Sequence, residues 1–438
     1  MLMGWVRTVK VRDLVINFRH METMKAFPRL CLLVLALSSL VGCGRVQNVM
    51  IPAGAQAPGT SRVEMLVATT RSDAGAQPGE MFTGERGSGL AFADIAVSIP
   101  PEAARKVGDV QFPQSLPADP MRDFVTLRAE KLDKAGALAR FDARIAKTPK
   151  RRVLVFVHGF NNRFEDAVYR FAQIVHDSGA DALPVLFTWP SRGKLLAYGY
   201  DHESASFSRD ALEQVLQALA RDPAVGEVSI LAHSMGNWVT TEALRQMAIR
   251  DRGLPDKIKN VMLAAPDVDF DVFQRQVAQI GPGVSRYFLF VARDDDALAT
   301  SRRVWGDKPR VGGIDPETSP YRQDLENVRI KWIDLTGVES DDPLRHGTFA
   351  QSPEIVKAIG VRLAGGQTLS EGAGVGMKLG QVAAGAVGTA GAVAGAAVAA
   401  PWAIVDPRTR EQLGESVESV GSGVGQTLDA GASALTGR

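Results

Sequence analysis

Ser234 sits in the stretch VSILAHSMGNWVTTEAL (228–244), where a strand-like apolar run meets a helix-like run. A hydroxyl at such a junction can act as a nucleophile, because a tight strand-to-helix turn lifts the side chain clear of its neighbours. The residues two before and two after it must then be small, and they are Ala232 and Gly236. The same turn aims the next backbone N–H, that of Met235, at an oxyanion developing on an attacked carbonyl. A serine needs a base, and of six histidines only His346, in DDPLRHGTF, follows Ser234. The base needs a carboxylate to orient it and to stabilise its protonated form. Candidates are Asp267 and Asp269 in AAPDVD and Asp294, Asp295 and Asp296 in RDDDAL, all between the serine and that histidine. Consecutive residues leave a strand in different directions, so the last three cannot all face one imidazole. Turn formation and helix capping are the competing roles for Asp267 and Asp269.

A second oxyanion donor is expected from VFVHGFNN. Gly159 permits close backbone approach, which leaves the N–H of Phe160 to meet the same oxygen. His158 reads as a residue that bonds its own loop, and His233 as one that packs beside the serine. His176 and His202 read as helix-surface residues.

These residues need a frame, and the middle of the chain alternates in a way that supplies one. Apolar runs at 151–159, 184–190, 227–234, 258–268, 285–295 and 327–337 read as buried strands. Between them lie helical patterns: Phe164, Val168, Phe171 and Val175; then Leu212, Val215, Leu216 and Leu219; then 237–249, with a last helix near 353–363. VEMLVATT, LAFADIAVSIP and FVTLRAEKL add three strands ahead of these, separated by Gly- and Pro-rich stretches at 75–89 and 112–120. Continuous apolar strands alternating with amphipathic helices predict an α/β fold, a mostly parallel sheet with helices on both faces. Ligands then bind at the carboxyl ends of the strands. The segment 192–207 either covers the site as a lid or leads into a helix.

Taken together, VFVHGFNNRFEDAVYRFAQI, LFTWPSRG, ILAHSMGN, LAAPDVD and DDDALATSR make residues 62–363 resemble an alpha/beta-hydrolase, and within that superfamily a bacterial family of uncharacterised esterase/lipase-like proteins. The resemblance implies a Ser-His-Asp hydrolase carried by Ser234 and His346. Asp295 is the favoured acid, because it stands three residues past Ala292 as in the Gly-x-x-Asp turn of many members; Asp267, Asp269, Asp294 and Asp296 stay open as alternatives. The expected chemistry is hydrolysis of a carboxylic ester, with lipids among the candidate substrates, through an acyl-enzyme, with no cofactor and no metal. Acyl transfer, or thioester or amide cleavage by the same residues, is the rival within the fold. A non-catalytic envelope protein that uses the fold as a scaffold is the rival outside it.

Net charge is +1, from 50 basic and 49 acidic residues, so no basic face for nucleic acid is expected. The two cysteines, Cys31 and Cys43, cannot build a disulfide framework or a thiolate metal cluster. Both belong to an N-terminal address: Lys25 and Arg29 precede a short apolar run at 30–40, and Leu40, Val41, Gly42 and Cys43 look like a bacterial lipobox. That resemblance implies cleavage of the signal region 1–43 before Cys43, which is lipidated and becomes the mature first residue, with Met24 rather than Met1 as the start. Gly44 in place of an aspartate resembles outer-membrane lipoproteins of Gram-negative bacteria, so a cell-envelope site is expected. Residues 44–61 read as a flexible tether, 62–363 as the catalytic domain, and 364–438 as a Gly/Ala-rich tail. Within the tail, 379–405 is free of formal charge, and Gly391 and Gly395 form a small-xxx-small pair, so membrane association competes there with a bland flexible segment.

Overall fold

A computed structural model describes residues 46–76 and 79–365. The signal region with Cys43 and the tail from 366 onward lie outside the described residues. The elements below all belong to the unit that begins at Asn48.

Nine strands form one sheet: β1 (Ser61–Asp73), β2 (Phe82–Ile99), β3 (Val125–Leu132), β4 (Arg152–Val157), β5 (Leu183–Thr188), β6 (Glu227–His233), β7 (Ile258–Ala264), β8 (Tyr287–Val291) and β9 (Lys331–Asp334). Their order is β3-β2-β1-β5-β4-β6-β7-β8-β9. β2 pairs antiparallel with both its neighbours, and every other pairing is parallel. The helices are α1 (Lys134–Ile145), α2 (Phe164–Ser178), α3 (Tyr198–Arg221), α4 (Gly236–Asp251), α5 (Phe270–Ile280), α6 (Asp296–Val304), α7 (Tyr321–Asn327), α8 (Thr348–Gln351) and α9 (Pro353–Gly365). This is the α/β architecture of an alpha/beta hydrolase.

The central strands are apolar throughout because both faces are covered. All six residues of β4, RVLVFV, are buried. Val153, Val155 and Val157 join the core that α3, α4 and α5 close with Leu216, Val239 and Phe273. Phe156 points the other way and stacks on Phe171 of α2, ring centroids 5.2 Å apart, where α9 packs on α2. Burying one such side chain contributes about 1.5–3 kcal/mol. The α2 pattern read from the sequence buries Phe164, Val168 and Phe171 and leaves Val175 half-buried. Gly179 then ends the helix in the left-handed conformation, φ 60°.

Three sequence expectations are corrected. The Gly-rich stretch 75–89 is not a plain separator, since β2 starts at Phe82 and pairs with β1 through Asp73 and Arg71. Glycines serve close approach there: a Cβ on Gly87 would lie 2.7 Å from the Arg71 carbonyl oxygen. The stretch 44–61 is not a free tether along its whole length. Val49 is 5% and Met50 2% exposed, and the Val49 carbonyl accepts bonds from Thr126 Oγ1 (2.9 Å) and Tyr169 Oη (3.0 Å), because an apolar pair gains more by packing than by hydration. The last strand is shorter than 327–337: α7 runs to Asn327, and Arg329 turns the chain at φ 60° before β9.

The segment 192–207 leads into a helix. One turn of 3-10 helix, Leu195–Ala197, runs straight into α3 at Tyr198.

Candidate active site

β6 ends at His233 and α4 begins at Gly236, which leaves Ser234 on the turn between them with φ 53°. A side chain other than glycine is strained in that region. The neighbours hold it there. Ser234 N–H donates to the Ala264 carbonyl at the end of β7 (3.0 Å), and Asp267 N–H donates to the Ser234 carbonyl (3.3 Å). Asn237 Nδ2 bridges the Ser234 and Ala264 carbonyls at 2.9 and 3.0 Å. The two glycines read from the sequence are required by contact. A Cβ on Gly236 would fall 2.3 Å from the His158 carbonyl oxygen, and one on Gly159 2.7 Å from Ser234 Cβ. Gly236→Ala is therefore expected to destabilise the domain by about 2–4 kcal/mol, since both clashing partners are backbone. Thermal melting checks this, and an unchanged Tm would mean that the strand ends are looser than drawn.

Ser234 is 4% exposed, and its hydroxyl makes no hydrogen bond among the described residues. His346 lies on the loop after β9, its ring centroid 4.7 Å from that of His233, the residue before Ser234. That loop is shaped by Asp342, whose Oδ2 accepts the Gly347 N–H at 2.7 Å. His346 Nδ1 stands 2.7 Å from Asp295 Oδ2. A carboxylate only accepts, so Nδ1 carries the hydrogen and Nε2 keeps its lone pair; Nε2 has no partner among the described residues. Burial pulls the His346 pKa down, but the charges of Asp295 first, then Asp267 and Asp342, outweigh it and hold the pKa above its ordinary value.

The five candidate carboxylates separate by partner. Asp295, 3% exposed, follows β8, meets His346, and caps α6 through the Leu298 N–H (2.9 Å). Asp294 turns away to Arg345 (2.6 Å) and the Gly337 N–H (3.0 Å). Asp296 is in the exposed first turn of α6. Asp269 caps α5 through the N–H groups of Asp271 and Val272. Asp267 accepts from Tyr198 Oη (2.5 Å) and Ser301 Oγ (2.6 Å) and pairs with Arg310 (3.4 Å).

The loop after β4 reaches the turn that carries Ser234. Neither the Phe160 N–H nor the Met235 N–H has an acceptor among the described residues. Asn162 Nδ2 holds the Phe160 carbonyl at 2.7 Å, and Asn162 N–H donates to Ser191 Oγ at 3.1 Å. Behind the loop His158 is buried, its Nδ1 2.8 Å from the Gly159 carbonyl and its ring stacked on Trp189. Its Nε2 accepts from Trp189 N–H (3.1 Å). Burial, reinforced by Arg71, pushes the His158 pKa down to about 3, so the ring is neutral. His233 Nε2 donates to the His346 carbonyl (3.0 Å), and its ring lies against those of His346 and Phe349. Burial, then the His346 charge, keeps its pKa well below the usual range.

Several residues of this region carry no sequence signal. Tyr198 packs on Phe160 with ring centroids 4.9 Å apart while it bonds Asp267. Arg71 is buried and lies behind the loop after β4, donating to Asn162 O (2.8 Å) and Thr188 Oγ1 (2.7 Å). His202, read as a helix-surface residue, is wedged between Trp238 and Trp305. Among the described residues no group of three or more His, Cys, Asp or Glu could hold a metal ion.

Residues 133–362 match the family described as "Alpha/beta hydrolase of unknown function (DUF900)". An uncharacterized protein of Nostoc sp. (alr1448) is 24% identical over 222 residues, an alignment that covers 37% of this chain and 56% of that protein. The chain thus spans little more than half the length of that relative. The matched segment holds β4 through β9 together with Phe160, Ser234, Asp295 and His346, and by that match the chain belongs to this family of alpha/beta hydrolases.

Proposed function

We propose that the protein is a serine hydrolase that cleaves carboxylic esters through an acyl-enzyme. The observation that carries the reading is the His346 Nδ1–Asp295 contact of 2.7 Å, with His346 packed on His233, the chain neighbour of a serine held at positive φ. In the first step His346 Nε2 takes the Ser234 proton as Oγ bonds to the carbonyl carbon. The Phe160 and Met235 N–H groups receive the oxyanion, each worth about 10²–10³ in rate. The tetrahedral adduct collapses, and the alcohol leaves with the proton from His346. Water, deprotonated by His346, then attacks the acyl carbon, and Ser234 leaves with that proton. His233 stays neutral throughout, which avoids a second positive charge beside the imidazolium.

We place this chemistry at the cell envelope, on the strength of the lipobox-like Leu40, Val41, Gly42 and Cys43. An anchor there favours acyl lipids or ester-bearing envelope polymers as substrates.

Hydrolysis of short p-nitrophenyl esters tests the reading, and its pH profile adds a sign. The base must be neutral to act, so kcat/KM falls as pH drops through the His346 pKa. That pKa is raised above 6.5 by Asp295, so the acid limb is expected above pH 6.5. No turnover of any such ester, or an acid limb well below that value, would count against His346 as the base.

A further inference from the structure

A second cleft opens at the carboxyl end of β8, between one face of α6 and the loop 307–315, with a volume of about 570 Å³. Its walls carry four arginines, Arg293, Arg302, Arg303 and Arg310, and three aspartates. The aspartates are engaged: Asp295 with His346, Asp307 with Arg302 (2.7 Å) and Asp315 with Arg293 (3.2 Å). Arg303 and Arg310 remain. Arg303 is exposed and has no hydrogen bond or ion pair among the described residues.

Arg310 is the telling residue. It is 8% exposed, yet its guanidinium makes no hydrogen bond to the protein among the described residues. Its Nε is buried without one, 3.4 Å from Asp267 Oδ1 in an ion pair only. Its two terminal nitrogens are not sealed in and donate to no group among the described residues, and Arg310 is one of the residues that line the cleft. Donors that meet only solvent can exchange that water for a ligand oxyanion, on a side chain otherwise already buried. The planar fork suits an oxyanion, and Arg303 across the same wall supplies a second cation. The volume exceeds what one small ion fills and falls in the range of roughly 300–1,000 Å³ common for small-molecule sites.

We propose that this cleft binds a phosphate-bearing ligand, with the Arg310 guanidinium as its buried anchor and Arg303 at its mouth. The proposal stands apart from the ester-hydrolase reading, because its readout is binding. The phosphate belongs either to a free phosphorylated small molecule or to a lipid headgroup, and the experiment separates these.

Inorganic phosphate is titrated against the purified protein and followed by thermal melting, which binding to the native state raises. In parallel, co-sedimentation is measured with phosphatidylglycerol vesicles and with phosphatidylcholine vesicles. Arg310→Gln and Arg303→Gln are each expected to weaken binding about tenfold. Arg310 also pairs with Asp267, whereas Arg303 touches no partner among the described residues, so Arg303→Gln decides if the other variant fails to fold. A phosphate-dependent rise in Tm that Arg303→Gln weakens supports a free phosphorylated ligand. Binding confined to phosphatidylglycerol vesicles and weakened by Arg303→Gln supports a headgroup. Binding of neither probe, or binding that Arg303→Gln leaves unchanged, overturns the proposal.

Discussion

Ser234→Gly is expected to remove ester hydrolysis and to make the fold more stable at once. Loss of the nucleophile should cost at least about 10⁴-fold in kcat, the scale seen when one member of such a unit is deleted. The backbone argument runs the other way. Ser234 sits at φ 53°, where a side chain costs about 1 kcal/mol or more and glycine costs almost nothing. Part of that gain is returned through the larger entropy of an unfolded chain carrying glycine. A rise in Tm of about 2 °C is expected for a domain of this size. Ser234→Ala should lose as much activity without the rise. Its methyl group keeps the strain, and the hydroxyl it loses bonds to nothing among the described residues. Turnover numbers for the three proteins, set beside their melting curves, give the result. A glycine variant that melts lower than wild type would mean the turn is not strained.

Asp295→Asn is expected to lower kcat by about 10⁴-fold with little change in stability. The carboxylate oxygen Oδ2 accepts from His346 Nδ1 at 2.7 Å. An amide in its place can offer an N–H to Nδ1, which moves the ring hydrogen to Nε2. The base is then in the wrong tautomer to take the Ser234 proton. It also loses the charge that stabilises the imidazolium, so the acid limb of the pH profile should move down. The other oxygen of Asp295 caps α6 through the Leu298 N–H, and asparagine caps about as well as aspartate. Melting should therefore change by well under the activity loss. Asp294→Asn and Asp269→Asn are the controls: one binds Arg345 and the other caps α5, and neither should change kcat appreciably. If Asp294→Asn proved the damaging one, the roles of the two carboxylates would be reversed.

The parts of the molecule that were legible in the sequence are those set by local pattern. β4, β5 and β6 read as continuous apolar runs because the sheet is covered on both sides. The turn at Ser234 read from Ala232 and Gly236 because small residues two before and two after a serine are a pattern within five residues, although the contact that requires Gly236, with the His158 carbonyl, is long-range. What was not legible depends on segments far apart in the chain. Asp267 looked like a possible acid because it ends a strand as Asp295 does. Only the convergence of Tyr198, Ser301 and Arg310 on it shows where its lone pairs go. The first hairpin was misjudged because glycines usually mark loops, whereas Gly84 and Gly87 lie inside β2, where neighbouring backbone comes too close for a Cβ. Arg71 could not be foreseen either, since an arginine in a strand pattern normally faces water, and this one is fully buried behind the loop after β4 with Thr188, Ser191 and Asn162 as acceptors.

The central claim is that Ser234 is a nucleophile activated by His346. Reaction of the purified protein with a fluorophosphonate probe, followed by peptide mass spectrometry, tests it most directly. The account predicts a single adduct on Ser234 that is lost in Ser234→Ala and forms far more slowly in His346→Ala. A folded protein that takes no label at Ser234, or a label that forms as fast in His346→Ala as in wild type, would contradict it.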